Sequence, residues 1–416
     1  MSTAKKYLFF IFFFLLLNFY RIPVNAQNLN DDFLLVQSVP LETKLEESKL
    51  PRAYDVWTYM IDNASVSIDM EMFYFANKKD SPLENLYTSL KSAAGRGVKV
   101  RIIIDSSFYS RSEKSSDELE GINNITIRKI PVGNLSGGIM HAKYFVVDGE
   151  VLFLGSQNFD WRALIHIHEI GVKVKSKELA NTFLKIFELD WNFCESPNDA
   201  DLLAMEKSKE KFSNSKKQLN IYSSYYGDVK LYPAFSPYSL TPEKFSYEEE
   251  EIVKIIKKTK SKLFIQIYSF LEKGENSNKK FTSFSKAIKA AAKRGVDVRL
   301  ILPDWAMKKD AVTFLKDISL VKNVQIKIST IPQYSGGYIP YARVEHCKYF
   351  ISDNNTSFIS TSNWEYDYFY ESRNASVVIK NKKVNSELEY VFMRDWNGPY
   401  TETIDIDKDY KPPKRN

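Results

Sequence analysis

Histidine and cysteine are scarce here, at four and two residues among 416. Two cysteines build neither a disulfide-stapled scaffold nor a cysteine-rich metal centre. Four imidazoles confine any histidine chemistry to His141, His166, His168 and His346. Glycine is sparse too, with 15 residues, about half of ordinary usage, which excludes collagen-like and glycine-rich low-complexity chains. The apolar run Tyr7 to Leu17 has eleven residues, short of the roughly 20 that a membrane helix needs. What is plentiful is core-forming material: 44% hydrophobic residues, 28 Phe and 25 Tyr, against 26% charged. That composition is globular, and the length favours two domains of ordinary size.

One stretch occurs twice. The first copy reads His141-Ala-Lys143-Tyr-Phe-Val-Val-Asp148 and runs on to Gly155-Ser156-Gln157-Asn158; the second reads His346-Cys-Lys348-Tyr-Phe-Ile-Ser-Asp353 and continues to Thr361-Ser362-Asn363. In both, Lys follows His by two positions, Asp by seven, a hydroxyl residue by fifteen and Asn by seventeen. The residues after each Lys are aromatic or β-branched, which predicts a buried strand with His and Lys on one face. Asp148-Gly149 and Asp353-Asn354 are turn formers. A second strand then carries Ser156 and Asn158, or Thr361 and Asn363, back toward the His/Lys end. The resulting cluster suits a phosphodiester: neutral imidazole can attack phosphorus, ammonium and amide groups can hold non-bridging oxygens, and a second imidazole can protonate the leaving alkoxide. One copy supplies half of this, and two supply all of it.

His-x-Lys-x4-Asp followed by Gly-Ser-x-Asn is the signature of the phospholipase D superfamily, and the chain resembles a two-motif member. Asn158-Phe-Asp-Trp161-Arg162, Glu169-Ile-Gly-Val172, Lys185-Ile-Phe187-Glu188 and Thr361-Ser-Asn-Trp364 resemble the endolysosomal branch that includes mammalian phospholipases D three and four. The resemblance runs from about Tyr54 to Trp396. It implies two duplicated α/β sandwich domains of phospholipase D type, related by a pseudo-twofold axis with the active site between them. It also implies that His141 is the nucleophile, forming a phosphohistidine, and that His346 is the acid and later the base. On the residues alone the two roles are interchangeable.

By the same resemblance Lys143, Lys348, Asn158 and Asn363 bind the non-bridging oxygens, assisted by Ser156 and Thr361. Asp148 and Asp353 complete the motif, with hairpin-fixing the favoured role. Glu169, 28 residues after His141, is the orienting carboxylate expected behind that imidazole. The equivalent position after His346 is Asn374, which would leave the second imidazole without such a partner. His166-Ile-His168-Glu169 has the period-two spacing of a metal site, but no second ligand cluster accompanies it. A plain strand is expected there, and chemistry without a metal or other cofactor.

The duplication extends beyond the motif. Ala93-Ala-Gly-Arg96-Gly97-Val-Lys-Val-Arg101 matches Ala291-Ala-Lys-Arg294-Gly295-Val-Asp-Val-Arg299 at an offset of 198; Ser136-Gly137-Gly138 matches Ser335-Gly336-Gly337 at 199. After a six-residue insertion, Tyr338 to Arg343, the motif histidines lie 205 apart, as do the two Asp-Trp-Asn triplets at Asp190 and Asp395. Strand and helix patterns such as Val66 to Phe75, Leu83 to Ala94 and Val98 to Ile104 read as βαβ units, which predicts a mainly parallel sheet. The expected organisation is a signal segment at 1–26, a leader at 27–50, the first domain at 51–222, a linker at 223–242, the second domain at 243–400 and a tail at 401–416.

Lys5-Lys6, the apolar run and Val24-Asn25-Ala26 read as a cleaved signal peptide, with an uncleaved type II membrane anchor as the rival. Either predicts a secretory-pathway lumen, endolysosomal or secreted. Sequons at Asn63, Asn124, Asn134, Asn354, Asn355 and Asn374 fit that route. Removing residues 1–26 takes away Lys5, Lys6 and Arg21 and no acid, so the net charge of +6 becomes +3. Such a small charge is a weak sign of a nucleic-acid partner. The superfamily resemblance, with the lumenal route, the aromatic-rich composition and this small charge, makes phospholipase D hydrolysis of a lipid such as phosphatidylcholine at a phospholipid membrane surface the expected reaction. The branch that the chain resembles implies the alternative, a single-strand 5' exonuclease acting on nucleic acid, with Tyr334, Tyr338, Tyr341 and Arg343 as its candidate platform. A catalytically inactive binding protein is the third reading. A Cys194–Cys347 disulfide is conceivable in a lumen, but two buried thiols are favoured.

Overall fold

The computed structural model describes residues 28–414 apart from 110–114, 197–198, 208–209, 211 and 275–276; the signal segment lies outside the described residues. The first half contributes β1 (Phe33–Ser38), β2 (Ser67–Met72), β3 (Phe75–Ala76), β4 (Lys99–Asp105), β5 (Ile125–Ile130), β6 (Lys143–Val147), β7 (Val151–Gly155), β8 (Phe159–Asp160) and β9 (Ile167–Lys175). Its main sheet runs β1-β9-β7-β6-β2-β4-β5, while β3 and β8 pair separately. The second half contributes β10 (Leu219–Ser223), β11 (Gly227–Ser236), β12 (Lys262–Ile267), β13 (Asp297–Pro303), β14 (Val324–Ser329), β15 (Val344–Glu345), β16 (Lys348–Ser352), β17 (Thr356–Ser360), β18 (Asn374–Lys380) and β19 (Thr401–Thr403). Its sheet runs β10-β11-β18-β17-β16-β12-β13-β14-β19.

The six strands β9-β7-β6-β2-β4-β5 thus recur in the same order as β18-β17-β16-β12-β13-β14. This is the duplicated α/β architecture that the repeats predict. The sheets are mixed, however, and not mainly parallel. Along the main run of each sheet the parallel pairs are those of β2-β4-β5 and β12-β13-β14, while the motif strands return through tight turns that force antiparallel pairing. Both turns hold left-handed residues, Asp148 (φ 54°), Gly149 (φ 65°) and Asp353 (φ 52°), as primed hairpin turns require.

Three predicted boundaries need correction. Residues 33–38, placed in a leader, form β1, whose six residues are all buried and which pairs antiparallel with β9. A strand buried on both faces shows no alternation, which is why Phe-Leu-Leu-Val-Gln-Ser carries no period. The linker at 223–242 is largely β11, an interior strand paired with β10 and β18. Pro233 is tolerated because β10 pairs only as far as Leu231, so at Pro233 that flank needs no ladder donor. The tail begins with β19, which closes the edge of the second sheet against β14.

The helices Lys177–Phe193 and Lys382–Asn397 bring Phe183, Phe187, Leu388 and Phe392 into one apolar core with inner residues of both sheets, among them Tyr144, Val172, Phe235 and Val377. Each such side chain contributes about 1.5–3 kcal/mol on burial. Outer cores lie beneath helices on the far face of each sheet: Trp57, Leu90 and Phe145 in the first half, Ile252, Ile288 and Leu315 in the second. Cys347 is buried and Cys194 partly so, both as free thiols. Asn374 is fully buried in the site described below, so its sequon is closed to glycosylation in the folded chain.

Candidate active site

The two halves meet by exchanging short strand contacts. The segment before His141 reaches across to the second half, where Met140 bridges Arg373 and the His141 N–H donates to the Arg373 carbonyl at 2.8 Å. The segment before His346 does the reverse. There β15 pairs parallel with the start of β9, Val344 opposite Ile167 and Glu345 opposite His168, and the His346 N–H donates to the His168 carbonyl at 2.9 Å. Each histidine is therefore held against the other half's return strand.

This exchange corrects the expected pairing. Glu169 does not stand behind His141. Its Oε2 lies 2.8 Å from His346 Nδ1, and Asn374 Oδ1 lies 3.0 Å from His141 Nδ1. The spacing of 28 residues predicts the contact within one copy, whereas the geometry applies it across copies. The second imidazole thus has the carboxylate, and the first has the amide. The Asn374 Nδ2 donates to the Tyr368 and Ser372 carbonyls at 2.9 and 3.3 Å, so its Oδ1 must face His141 as an acceptor. His141 consequently carries its proton on Nδ1 and keeps a lone pair on Nε2.

Ser156 and Thr361 are fully buried behind this layer, not at the phosphate position expected of them. The Thr361 hydroxyl donates to Asn374 Oδ1 at 2.9 Å and accepts from the Ala375 N–H. The Ser156 hydroxyl bridges the backbone of Ile170, beside Glu169. Both hold the orienting residues.

Lys143 and Lys348 donate to the carbonyls of their own motif histidines, at 2.7 and 3.0 Å. Asn158 and Asn363 line the cavity, and the Oδ1 of each is buried without a protein partner. Asp148 and Asp353, grouped with the catalytic residues by their place in the motif, lie at the other end of each hairpin. Asp148 accepts the backbone N–H groups of Ser65, Val66 and Ser67, and Asp353 those of Lys260, Ser261 and Lys262. They fasten each turn to the start of the neighbouring strand, β2 in the first half and β12 in the second.

His141 and His346 line one cavity of about 810 Å³, together with Asn158, Asn363, Phe73, Tyr74, Arg162, Tyr268, Trp305 and Tyr368. Aromatic rings flank both imidazoles: Phe73 and Tyr368 at 5.0 and 4.9 Å from His141, Tyr268 at 4.9 Å from His346. Those rings are residues that motif spacing could not find. The available clue was the aromatic ending of the strand that runs into Phe73 and its counterpart before Tyr268.

Behind the site, two buried networks match across the duplication. In one, Tyr144 donates to Glu71 at 2.5 Å, and Arg373 makes a bidentate pair with Asp190 at 2.7 and 2.8 Å. The other guanidinium protons go to Ser236, Leu240 and Thr241. Breaking such a pair from one side costs about 3–5 kcal/mol. In the other network Tyr349 donates to Gln266, Gln266 to Asp395, and His168 replaces the arginine.

His168 Nδ1 lies 2.6 Å from Glu345 Oε2, and Gln37 sits 2.6 Å from its Nε2. His168, Glu345 and Cys347 bring ligand atoms within 4.8 Å of one another. With both imidazole nitrogens engaged and Glu345 also accepting the Cys347 N–H, hydrogen bonds account for the cluster. His166 packs instead against Trp161 and Tyr334; burial and Arg343 push its pKa down to about 4.

Burial pushes His141 and His346 well below the ordinary histidine value, and Lys143 and Lys348 push in the same direction. Burial also lowers Lys143 well below its usual range and Lys348 to about 7. It raises Glu169 well above the carboxylate range, against the pull of Lys348. The cavity thus disfavours every charge until an anion enters among its cations.

A consequence for pH follows. A reaction needing His141 neutral and His346 protonated keeps its nucleophile ready down to low pH, and loses its acid as pH rises through a His346 pKa that lies below about 6.5. The kcat/KM profile is therefore expected to peak on the acid side of neutrality and to fall about tenfold per pH unit beyond it. A profile still rising at pH 8 would contradict this.

The family described as "Cardiolipin synthase, PLD-like domain" matches residues 58–191 and again residues 252–396, one match in each half. A probable phospholipase D of Caenorhabditis elegans is 28% identical over 399 residues, covering 89% of this chain and 70% of that protein. The 5'-3' exonuclease PLD3 of Rattus norvegicus is 28% identical over 407 residues, covering 90% and 81%. The crystal structure of phosphatidylserine synthase from Haemophilus influenzae has a TM-score of 0.60 at 12% identity, covering 84% of this chain and 85% of that one. This last is a likeness of fold.

Proposed function

Because this chain belongs to the phospholipase D superfamily and is a phosphoric diester hydrolase, we propose that it hydrolyses single-stranded nucleic acid from its 5' end through a phosphohistidine on His141. One observation carries the mechanism. Two imidazoles line a single cavity, one backed by a neutral amide and the other by a carboxylate. The amide leaves His141 neutral with its Nε2 lone pair free, which is what a nucleophile needs. The Glu169 carboxyl against Nδ1 of His346 works against the burial that lowers this imidazole and supports its protonated form, which is what an acid needs.

His141 Nε2 attacks phosphorus, and the bond to the leaving oxygen breaks as His346 gives that oxygen its proton. His346, now neutral, takes a proton from water. The hydroxide so formed cleaves the phosphorus–nitrogen bond, restoring both imidazoles. Lys143, Lys348, Asn158 and Asn363 hold the non-bridging oxygens. Asp148, Asp353, Ser156, Thr361, Asn374 and Glu169 position these groups.

The nucleic-acid reading is supported by the likeness to the rat 5'-3' exonuclease and by cation–aromatic pairs in and next in sequence to the cavity lining. Trp161 lies under Lys78 at 4.4 Å, Tyr341 lies 5.9 Å from Arg162, and both Arg162 and Tyr341 line the cavity. Cations beside aromatic rings suit phosphates and bases. Lipid hydrolysis at a membrane surface is the second reading, favoured by the likeness to the nematode phospholipase. Of the large exposed apolar side chains among the described residues, Tyr338 and Tyr341 fall in the loop at the cavity mouth, little with which to enter a bilayer. A lumenal or secreted location, by the N-terminal pattern, is part of the same proposal.

The test runs purified protein on 5'-hydroxyl single-stranded DNA and, separately, on phosphatidylcholine vesicles with a short-chain alcohol. Release of mononucleotides is the expected result. Phosphatidyl alcohol without nucleotide release would assign the enzyme to lipid.

A further inference from the structure

The insertion Tyr338 to Arg343 has no counterpart in the first half, where His141 follows Gly138 after two residues. The duplicated catalytic frame is complete without it, so the loop needs another reason. Its backbone is costly: Tyr341 and Arg343 both sit in the left-handed region, at φ 57° and 59°, a conformation that bulky residues rarely adopt.

Three anchors hold it there. The Arg343 guanidinium, 2% exposed, donates to the carbonyls of Pro332 and Leu41 at 2.7 Å each. The Arg343 N–H donates to the His166 carbonyl at 2.8 Å. From the first half, Arg162 Nη1 donates to the Pro340 carbonyl at 3.1 Å. Arg343 is thereby spent on structure, and it does not serve as the phosphate contact of the expected platform. Tyr334, placed in the same platform, packs on His166.

The ring these anchors present is Tyr341. It is 49% exposed and lines the catalytic cavity, so the left-handed backbone at Tyr341 is not repaid by burial of its own ring. Strain maintained by anchors, with an exposed side chain as its product, marks a site that binds something. Arg162 approaches the Tyr341 ring, and its own charge is fixed in place by Asp160, to which it is bidentate.

We propose that Tyr341 is a stacking subsite for a nucleobase of the substrate, held over the mouth of the cavity by the Arg162–Pro340 and Arg343 anchors. This rests on the nucleic-acid reading above and deepens it. A flat, sequence-tolerant π-surface next to a guanidinium fits a base attached to a phosphate; an acyl chain would gain little from either. Tyr341 touches no catalytic group, so it acts on affinity and not on the chemical step.

The test compares wild type with Tyr341→Ala and Tyr341→Trp. One substrate is a short 5'-hydroxyl oligodeoxynucleotide; the others carry a single abasic residue at the first or the second position. Tyr341→Ala is expected to lose about 10- to 100-fold in kcat/KM on the intact strand, through KM with kcat nearly unchanged. On one of the abasic strands it should match wild type, and Tyr341→Trp should retain activity on all.

Equal kcat/KM for Tyr341→Ala and wild type on the intact strand would overturn the subsite and leave the exonuclease reading standing. So would an equal loss on every strand. Failure of the wild type itself to release nucleotides from any strand would overturn both.

Discussion

Replacing His141 with Ala is expected to lower turnover by on the order of 10⁴-fold or more on any substrate, with the fold intact. The magnitude follows from what is removed. Without a nucleophile the reaction cannot be divided into two easier steps, and only the phosphate-binding groups remain to favour direct attack by water. Stability should change little. The His141 side chain hydrogen-bonds Asn374, while the backbone bond to Arg373 and the buried Arg373–Asp190 pair survive the substitution. A melting curve close to wild type together with lost turnover separates chemistry from folding. Substantial residual activity in a folded His141→Ala protein would remove the assigned nucleophile.

His346→Ala is expected to divide the reaction at its midpoint. With a natural alkoxide leaving group both half-reactions need this imidazole, first as acid and then as base, and turnover should fall on the order of 10²- to 10⁴-fold. Bis(p-nitrophenyl) phosphate carries a leaving group that departs as an anion without protonation. On it, His346→Ala should form the phosphoenzyme and then stall, because water still lacks its base. The predicted trace is a burst of about one equivalent of nitrophenolate followed by a slow phase. His141→Ala should give no burst. A burst from His141→Ala and none from His346→Ala would exchange the two roles.

That role assignment also shows where the sequence ceases to be legible. Two motifs with complete spacing, a whole-domain offset and one cavity between the halves follow from the order of residues, and the structure places His141 and His346 in that cavity. The orienting pair does not follow. Position 28 after each histidine is correctly singled out, but a spacing cannot say whether it is satisfied within a copy or between copies. The exchange is decided by Met140 against Arg373 and by β15 against β9, contacts between segments more than 170 residues apart in the chain. Read within a copy, Asn374 is a defect behind His346. Read across copies, it is the neutral acceptor that faces His141 Nδ1.

The misplaced leader and linker fail for a related reason. β1 and β11 are added to the flank of each sheet beside β9 and β18, and neither has a local pattern that announces a strand. Phe33 to Ser38 lacks alternation because both faces are covered, and the Tyr-, Pro- and Ser-rich stretch resembles a connection until β18 is present to pair with it. Ser156 and Thr361 illustrate a third limit. Their spacing places them at the histidine end of the hairpin, but only the fold shows that the hydroxyls turn away from the cavity, Thr361 toward Asn374 and Ser156 toward the Ile170 backbone.

The most direct measurement is the location of the covalent intermediate. Wild type and His346→Ala, mixed with bis(p-nitrophenyl) phosphate, would be quenched in alkali within the burst and the peptides mapped by mass spectrometry. The account predicts a phosphoryl adduct on His141 in His346→Ala, near one equivalent, with none on the His346 peptide of the wild type. An adduct on His346, or sustained turnover with no adduct on either histidine, would contradict it.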